Sequence, residues 1–219
     1  MPLNSVAGII EHTLLDPNAM SSQIAALCSE AEKYAFSAVC VNPIHVSQCS
    51  TYLKNSTVNV CTVVGFPLGA NHTAVKVAET IRAVQNGAVE IDMVLNIGAF
   101  LDGDINMVYN EISDVVDSAD GKLIKVILET CLLTNEQIIS ASKIAKDAGA
   151  YFINTSTGFS TEGATVEAVR LIRKTVGNTL GIKASGGIKT LAQLHSMLNA
   201  GATRIGSSSG VSIIKELNS

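Results

Sequence analysis

Residues 75–94, read as VKVAETIRAVQNGAVEIDMV, contain one complete structural unit in miniature. Val75, Ala78 and Ile81 recur at helical spacing, with Arg82 and Gln85 as a polar flank, so the first half predicts an amphipathic helix with those apolar residues turned inward. Asn86-Gly87-Ala88 then supplies a glycine able to take the left-handed conformation that ends a helix. Val89–Val94 follows as a short strand candidate interrupted by Glu90 and Asp92, and most of its counterparts along the chain are continuous apolar runs, the pattern of strands covered on both faces, as in a parallel sheet.

The same unit recurs along the chain. Strands are predicted over Gly8–Glu11, Ala38–Val41, Val58–Val64, Val89–Val94, Leu123–Leu128, Tyr151–Asn154, Leu180–Lys183 and Thr203–Ile205, with helical segments between them such as the one carrying Ile24, Leu27, Cys28 and Ala31. Glycine stops recur at Ala148-Gly149-Ala150 and Ala200-Gly201-Ala202. Eight β/α units of roughly 25 residues each point to a closed (β/α)8 barrel of the TIM type, in the α/β class. An open doubly wound sheet would more often carry GxGxxG after its first strand, and none occurs here.

Composition narrows the function classes. The 219 residues are 47% hydrophobic, enough to bury a large core, and no Pro/Ser-rich linker or charge block divides them, so residues 1–219 are expected to form a single domain. A net charge of −4 argues against nucleic acid, whose binders carry a basic stripe. No basic leader and no run of about 18 apolar residues is present, so a soluble, unprocessed chain without a membrane partner is expected. Cys28, Cys40, Cys49, Cys61 and Cys131 are odd in number, lie in apolar stretches and form no CxxC pair. They read as small buried hydrophobes in a reducing cytoplasm rather than as disulfides or zinc ligands.

In such barrels chemistry gathers where strands end at their C-terminal side. Four polar clusters fall there: Glu90–Asn96, Ile153–Phe159, Gly181–Gly187 and Ile205–Ser209. Lys183, flanked by Ile182 and Ala184, is placed by alternation in the barrel interior, where desolvation is expected to depress its pKa. It fits imine or proton chemistry, or a structural ion pair with an acid such as Asp92. Asp92, costly to bury alone, could move protons, pair with Lys183, or do both. Gly186-Gly187 and Gly206-Ser207-Ser208-Ser209 follow strands seven and eight, where backbone N–H groups, hydroxyls and a short helix's N-terminus commonly bind phosphate. Lys189 either adds charge there or is a solvated helix residue. His12 and His72 read as structural or capping residues, and His45 and His195 as helical ones away from the rim.

With these clusters in view, the chain resembles the deoxyribose-phosphate aldolases along nearly its whole length. The resemblance rests on Glu11–Leu15, Val39–Pro43, Val63–Gly69, Glu90–Val94, Leu128–Thr134, Lys183–Ile188 and Arg204–Gly210. It implies reversible cleavage of 2-deoxy-D-ribose 5-phosphate to D-glyceraldehyde 3-phosphate and acetaldehyde through a Schiff base, without metal or organic cofactor, by a possible homodimer. By the same resemblance Lys183 would lower the nucleophilic lysine's pKa and share in proton transfer, while Asp92 would give and take protons. Gly158, Gly186, Gly187, Gly206 and Ser208 would cradle the phosphate, and Asn42 and Thr155 would lie near the sugar.

The family's Lys-Thr-Ser-Thr-Gly-Phe motif reads here Asn154-Thr155-Ser156-Thr157-Gly158-Phe159. The place of the Schiff-base lysine is held by Asn154, whose amide nitrogen is delocalised into its carbonyl and cannot form an imine. Two readings stay open: an aldolase silenced by one isolated lysine-to-asparagine change, and a natural non-catalytic relative that keeps the cradle to bind a phosphosugar. A third, Lys183 as replacement nucleophile, suffers from the loss of the neighbouring charge that would keep its amine neutral. Another phosphosugar activity, such as an isomerase, has only fold analogy behind it.

Overall fold

The computed structural model describes residues 6–217, and Met1–Ser5, on which the reading of an unprocessed N-terminus partly falls, lie outside the described residues. Eight strands close a parallel barrel in chain order: β1 (Ile10–Leu14), β2 (Ala38–Val41), β3 (Asn59–Val64), β4 (Glu90–Val94), β5 (Leu123–Ile127), β6 (Phe152–Asn154), β7 (Gly181–Ser185) and β8 (Arg204–Ser207). Closure is made by β1 against β8, with Ile10 opposite Ile205 and His12 opposite Ser207. The described helices surround it: α1 (Ser21–Tyr34), α2 (Val46–Tyr52), α3 (Thr73–Gln85), α4 (Ile97–Leu101), α5 (Ile105–Ser118), α6 (Asn135–Asp147), α7 (Val166–Val176), α8 (Leu191–Ala200) and α9 (Gly210–Leu217).

The main apolar core lies between sheet and helices, where the outward residues of the strands meet helix faces such as Ile24, Leu27, Cys28 and Ala31 of α1. Each such aliphatic side chain, fully buried, is worth about 1.5–3 kcal/mol. The barrel interior is a separate layer. Only its β2–β3 side is apolar, with Ala38, Cys40, Cys61 and Val63 packed against Leu15 and Phe66. Charge enters the interior from other strands, at Glu11, Glu90, Asp92, Lys125, Lys183 and Arg204.

The glycine stops are found as expected, Gly87, Gly149 and Gly201 having φ of +104°, +93° and +114°. Three strands run past their expected ends, while β5 stops at Ile127, one residue short of Leu128. β1 runs to Leu14 instead of ending at Glu11, β7 to Ser185 instead of Lys183, and β8 to Ser207 instead of Ile205. Counting apolar residues stops a strand at its first polar side chain, but in this barrel polar side chains point inward. Glu11 and Lys183 thus sit within strands.

The face of α3 is also corrected. Val75, Ala78 and Ile81 are exposed, and the buried residues are Lys76, Thr80 and Ala83. Lys76 Nζ lies 2.5 Å from Glu111 Oε1 of α5 and donates to the Val94 carbonyl at 2.9 Å, while Thr80 Oγ1 donates to the Lys76 carbonyl at 2.8 Å. A satisfied buried ion pair has replaced the apolar contact that periodicity assumes. Burial pushes the Lys76 pKa down, opposed by Glu111. The pair ties α3, α5 and the end of β4 together.

Replacing one partner strands the other charge in the interior. Lys76→Ala should therefore lower the unfolding free energy by about 3–5 kcal/mol, whereas Lys76→Met with Glu111→Leu should recover most of it. Urea denaturation of the three proteins distinguishes an ion pair that is merely well satisfied from one the fold cannot lose.

Candidate active site

The charged inward residues converge on the barrel axis because parallel registry sets them side by side. Asp92 is opposite Lys125, Lys183 opposite Arg204, and Asn154 opposite Lys183. Lys125 Nζ is 2.7 Å from Glu90 Oε2, 2.9 Å from Asp92 Oδ1 and 3.3 Å from Glu11 Oε2. Lys183 Nζ pairs with Glu11 Oε1 and lies 2.5 Å from Asp92 Oδ2. Arg204 reaches Glu90 Oε2 at 2.9 Å and Glu11 Oε2 at 3.3 Å. Asn59 Nδ2 donates to Glu90 Oε1 at 2.9 Å, so every oxygen of the three carboxylates has a donor.

This network decides the protonation states. Burial alone would raise the Glu11 pKa, but Lys125, Lys183 and Arg204 hold it far below the ordinary value. Burial likewise works against the Lys183 ammonium, yet Asp92 and Glu11 outweigh it and the pKa is pushed well above the ordinary lysine value. The depressed lysine expected from desolvation is thus corrected: interior carboxylates, two of them in contact, overcome the burial term. Lys125 is raised in the same way.

Above the network, the C-terminal ends of the strands open into a cavity of about 460 Å³, the size of a small-ligand site. Its floor includes Asp92, Asn154 and Lys183, with Cys40 and Val63 on the apolar side. Asn154 ends β6 with both halves of its amide engaged: Nδ2 donates to Asp92 Oδ2 at 3.2 Å, and Ser185 Oγ lies 2.6 Å from Oδ1. Ser185 Oγ is equally close to the Ser156 carbonyl, so its one proton is shared between two acceptors.

The opposite wall is built of tight turns. Gly158, Gly186 and Gly187 line the cavity with φ of +83°, +85° and +79°. Gly206 is required for another reason, since a Cβ there would stand 2.8 Å from Lys183 Cε. Ser208 and Lys189 also face the cavity, and α9 begins two residues after Ser208. Backbone N–H groups, hydroxyls, a helix N-terminus and a cation at one end form a surface suited to an anion.

The sequence-predicted residues divide accordingly. Asp92, Asn154, Lys183, Gly158, Gly186, Gly187, Gly206 and Ser208 meet around one cavity. Asn42 and Thr155 stand behind its wall: Asn42 Nδ2 donates to the Leu15 carbonyl at 3.0 Å, and Thr155 Oγ1 accepts from Ser185 N at 3.2 Å. His12 is buried against Glu30, and His45 follows β2 on the rim side without lining the cavity. Cys40 is the buried core hydrophobe expected of it and also borders the cavity. Sequence reasoning missed Glu11, Glu90, Lys125 and Arg204, though Lys125 within Leu123–Ile127 repeats the signal that picked out Lys183, and Glu90 precedes Asp92 by the strand's period of two.

Glu11, Cys40, Cys61 and Asp92 bring possible metal ligands within 4.8 Å of one another. The Lys125 and Lys183 ammonium groups already contact three of the four, Lys125 Nζ lying 3.3 Å from Cys61 Sγ, so a metal ion would have to displace bound cations.

A (β/α)8 barrel with a lysine–carboxylate floor and an anion cradle after β7 and β8 has its candidate site at the C-terminal face, as the enzymes of this fold do. Within this fold, the chain belongs to the DeoC/LacD family of aldolases, whose family model matches residues 7–216. Relatives named deoxyribose-phosphate aldolase include one from Geobacillus sp. (strain WCH70), 53% identical over 213 residues, covering 97% of this chain and 96% of that protein. Another, from Staphylococcus epidermidis (strain ATCC 12228 / FDA PCI 1200), is 54% identical and covers 97% of each. Among solved structures, a deoxyribose phosphate aldolase from Aeropyrum pernix, described as uniquely tetrameric, matches with a TM-score of 0.93 at 32% identity, over 100% of this chain and 93% of that one. Among the described residues no helix is long and apolar enough to cross a membrane.

The network sets a pH window for stability. Glu11 lies below its ordinary 4.5, so its contribution is present above that value and lost as pH falls. Lys183 lies above its ordinary 10.5, so its contribution is present below that value and lost as pH rises. Unfolding free energy measured against pH should be level, as far as this network governs it, between about pH 5 and about pH 10, and decline on both sides. A steep slope near neutrality that vanishes in Glu11→Gln would contradict these assignments.

Proposed function

We propose that this chain is a barrel of the deoxyribose-phosphate aldolase kind which binds 2-deoxy-D-ribose 5-phosphate without cleaving it. One observation carries the reading: Asn154 occupies the floor position where, by resemblance, the Schiff-base lysine belongs, and its amide is hydrogen bonded on both sides. Cleaving the C2–C3 bond of the open-chain sugar leaves an electron pair on C2. An iminium at C1 would accept it while the C3 hydroxyl loses its proton and becomes the aldehyde of glyceraldehyde 3-phosphate. Neither lysine of the floor network offers a free amine to make that iminium. Lys183 is held as an ammonium by Asp92 and Glu11, and Lys125 is fully buried by three carboxylates.

Binding has separate support. The cavity volume suits a five-carbon sugar ester, and the turns at Gly158, Gly186, Gly187 and Gly206 together with Ser208 offer the phosphate its donors. That Asn154 is so well accommodated also favours the second reading, a relative retained for binding alone. In a living cell either form would be cytoplasmic. A homodimer is the expected assembly, which sedimentation equilibrium checks directly.

Incubation of the chain with 2-deoxy-D-ribose 5-phosphate should yield no aldehyde above background, while calorimetry registers binding. Asn154→Lys should raise the cleavage rate by about three orders of magnitude or more. Borohydride trapping with acetaldehyde should then place the adduct at position 154. Turnover by the unaltered chain, or an adduct on Lys183, would overturn the proposal.

A further inference from the structure

Glu129 follows β5 and has no part in the floor network, yet its surroundings are unusual. Its backbone is left-handed, with φ of +57°, a conformation uncommon outside glycine, asparagine and aspartate, and its side chain is only 3% exposed. No ion pair reaches it among the described residues. Its carboxylate accepts from Thr157 N, at 3.3 Å for Oε1 and 3.4 Å for Oε2, and from the Thr157 hydroxyl through Oε2. The Cys131 thiol also points at it, 3.9 Å from Oε1 and itself 3.3 Å from Ser160 Oγ.

A buried acid without a cation is expensive, and an uncharged side chain would tie down a loop at lower cost. The contacts show what the charge achieves. Thr157 Oγ1, having donated its proton to Glu129, accepts from Phe159 N at 3.0 Å. Two amides of the arc 157–159 are thereby fixed on either side of Gly158. The arc lies against the turn after β7: a Cβ on Gly186 would come 3.4 Å from Gly158 Cα. Both turns line the cavity. The backbone on each side of Glu129 is anchored as well, Leu128 N donating to the Asn154 carbonyl at 3.0 Å and Thr130 N to the Thr155 carbonyl at 2.9 Å.

We infer that Glu129 is a positioning residue for phosphate-ester binding, acting through Thr157 to hold the Gly158 turn against the Gly186 turn. This rests on the phosphosugar reading above. An ionised carboxylate accepts both Thr157 donors at once, whereas the protonated acid gives up one acceptor, so the hold loosens with acid. Burial pushes the Glu129 pKa up, with the Thr157 bonds pulling against it. The sign follows: affinity falls as pH drops through that raised pKa. The same shift means that the ionised form costs folding stability, because a carboxyl raised above its unfolded value stabilises only when protonated.

Calorimetric titration of the unaltered chain, Glu129→Gln and Glu129→Ala with 2-deoxy-D-ribose 5-phosphate, at about pH 8 and about pH 5.5, tests the inference. The ligand's own second ionisation, near pH 6, is common to all three and cancels in the comparison. At the higher pH Glu129→Ala should bind about tenfold more weakly or worse. Glu129→Gln should bind more tightly than Glu129→Ala, melt no lower than the parent, and lose less affinity than the parent on acidification. If the unaltered chain binds and both variants match it in affinity, the inference is overturned. It is equally overturned if parent and Glu129→Gln weaken in parallel with acid, or if Glu129→Gln loses affinity only in step with its melting temperature. An unaltered chain that binds no phosphate ester at either pH overturns the phosphosugar reading itself, and this inference with it.

Discussion

The exclusion of water from the barrel axis is the constraint around which the rest is arranged. Three cations, Lys125, Lys183 and Arg204, and three carboxylates, Glu11, Glu90 and Asp92, are brought into that space by five strands. A single charge there would be intolerable, and a balanced set with every oxygen paired is not. The requirement reaches into the backbone. Gly206 has no side chain because the stem of Lys183 passes where one would be, and the parallel register fixes which charges face each other. The apolar cluster of the interior, from Ala38 to Val63, lies on β2 and β3, two of the three strands that contribute no charge.

That arrangement explains how far the sequence could be read. Alternating helix and strand signals, with glycine stops, depend on the outer layer, where burial is apolar and periodicity is faithful; eight units and a closed barrel were legible there. The same rules falter wherever a polar side chain is buried by pairing. Lys76 turned the inner face of α3 away from Val75 and Ile81, and Glu11 hid the continuation of β1. Both errors have one source, since hydrophobicity scales treat charge as outward whether or not a partner waits inside.

The site was legible in the same uneven way. Lys183 and Asp92 stood out because each interrupts an apolar strand, and the glycine-rich turns because two fall at the ends of adjacent strands. Lys125 carried the same signal at β5 and was passed over. What sequence could not supply was the partner list. Lys183 in isolation reads as a desolvated amine with a lowered pKa, and only the contacts with Glu11 and Asp92 reverse the sign. Thr155 and Asn42, inside well-matched motifs, have side chains engaged with the backbone of Ser185 and Leu15.

The balance of charge also bears on Asn154. With an amide at the end of β6 the interior set is neutral and both halves of that amide are hydrogen bonded. A lysine at this position would bring a further positive charge into a water-poor space whose carboxylates are already matched one to one. Its ammonium form would have no uncommitted partner, and burial would push it toward the neutral amine, the form that attacks a carbonyl. The like-charge influence ascribed to Lys183 is thus only part of such an effect, because Glu11 and Asp92 offset most of that charge nearby. On this view the network serves nucleophilic chemistry by being complete without the nucleophile. The same completeness fits the proposed reading, in which an asparagine stands where the family's lysine would and the cavity keeps its shape.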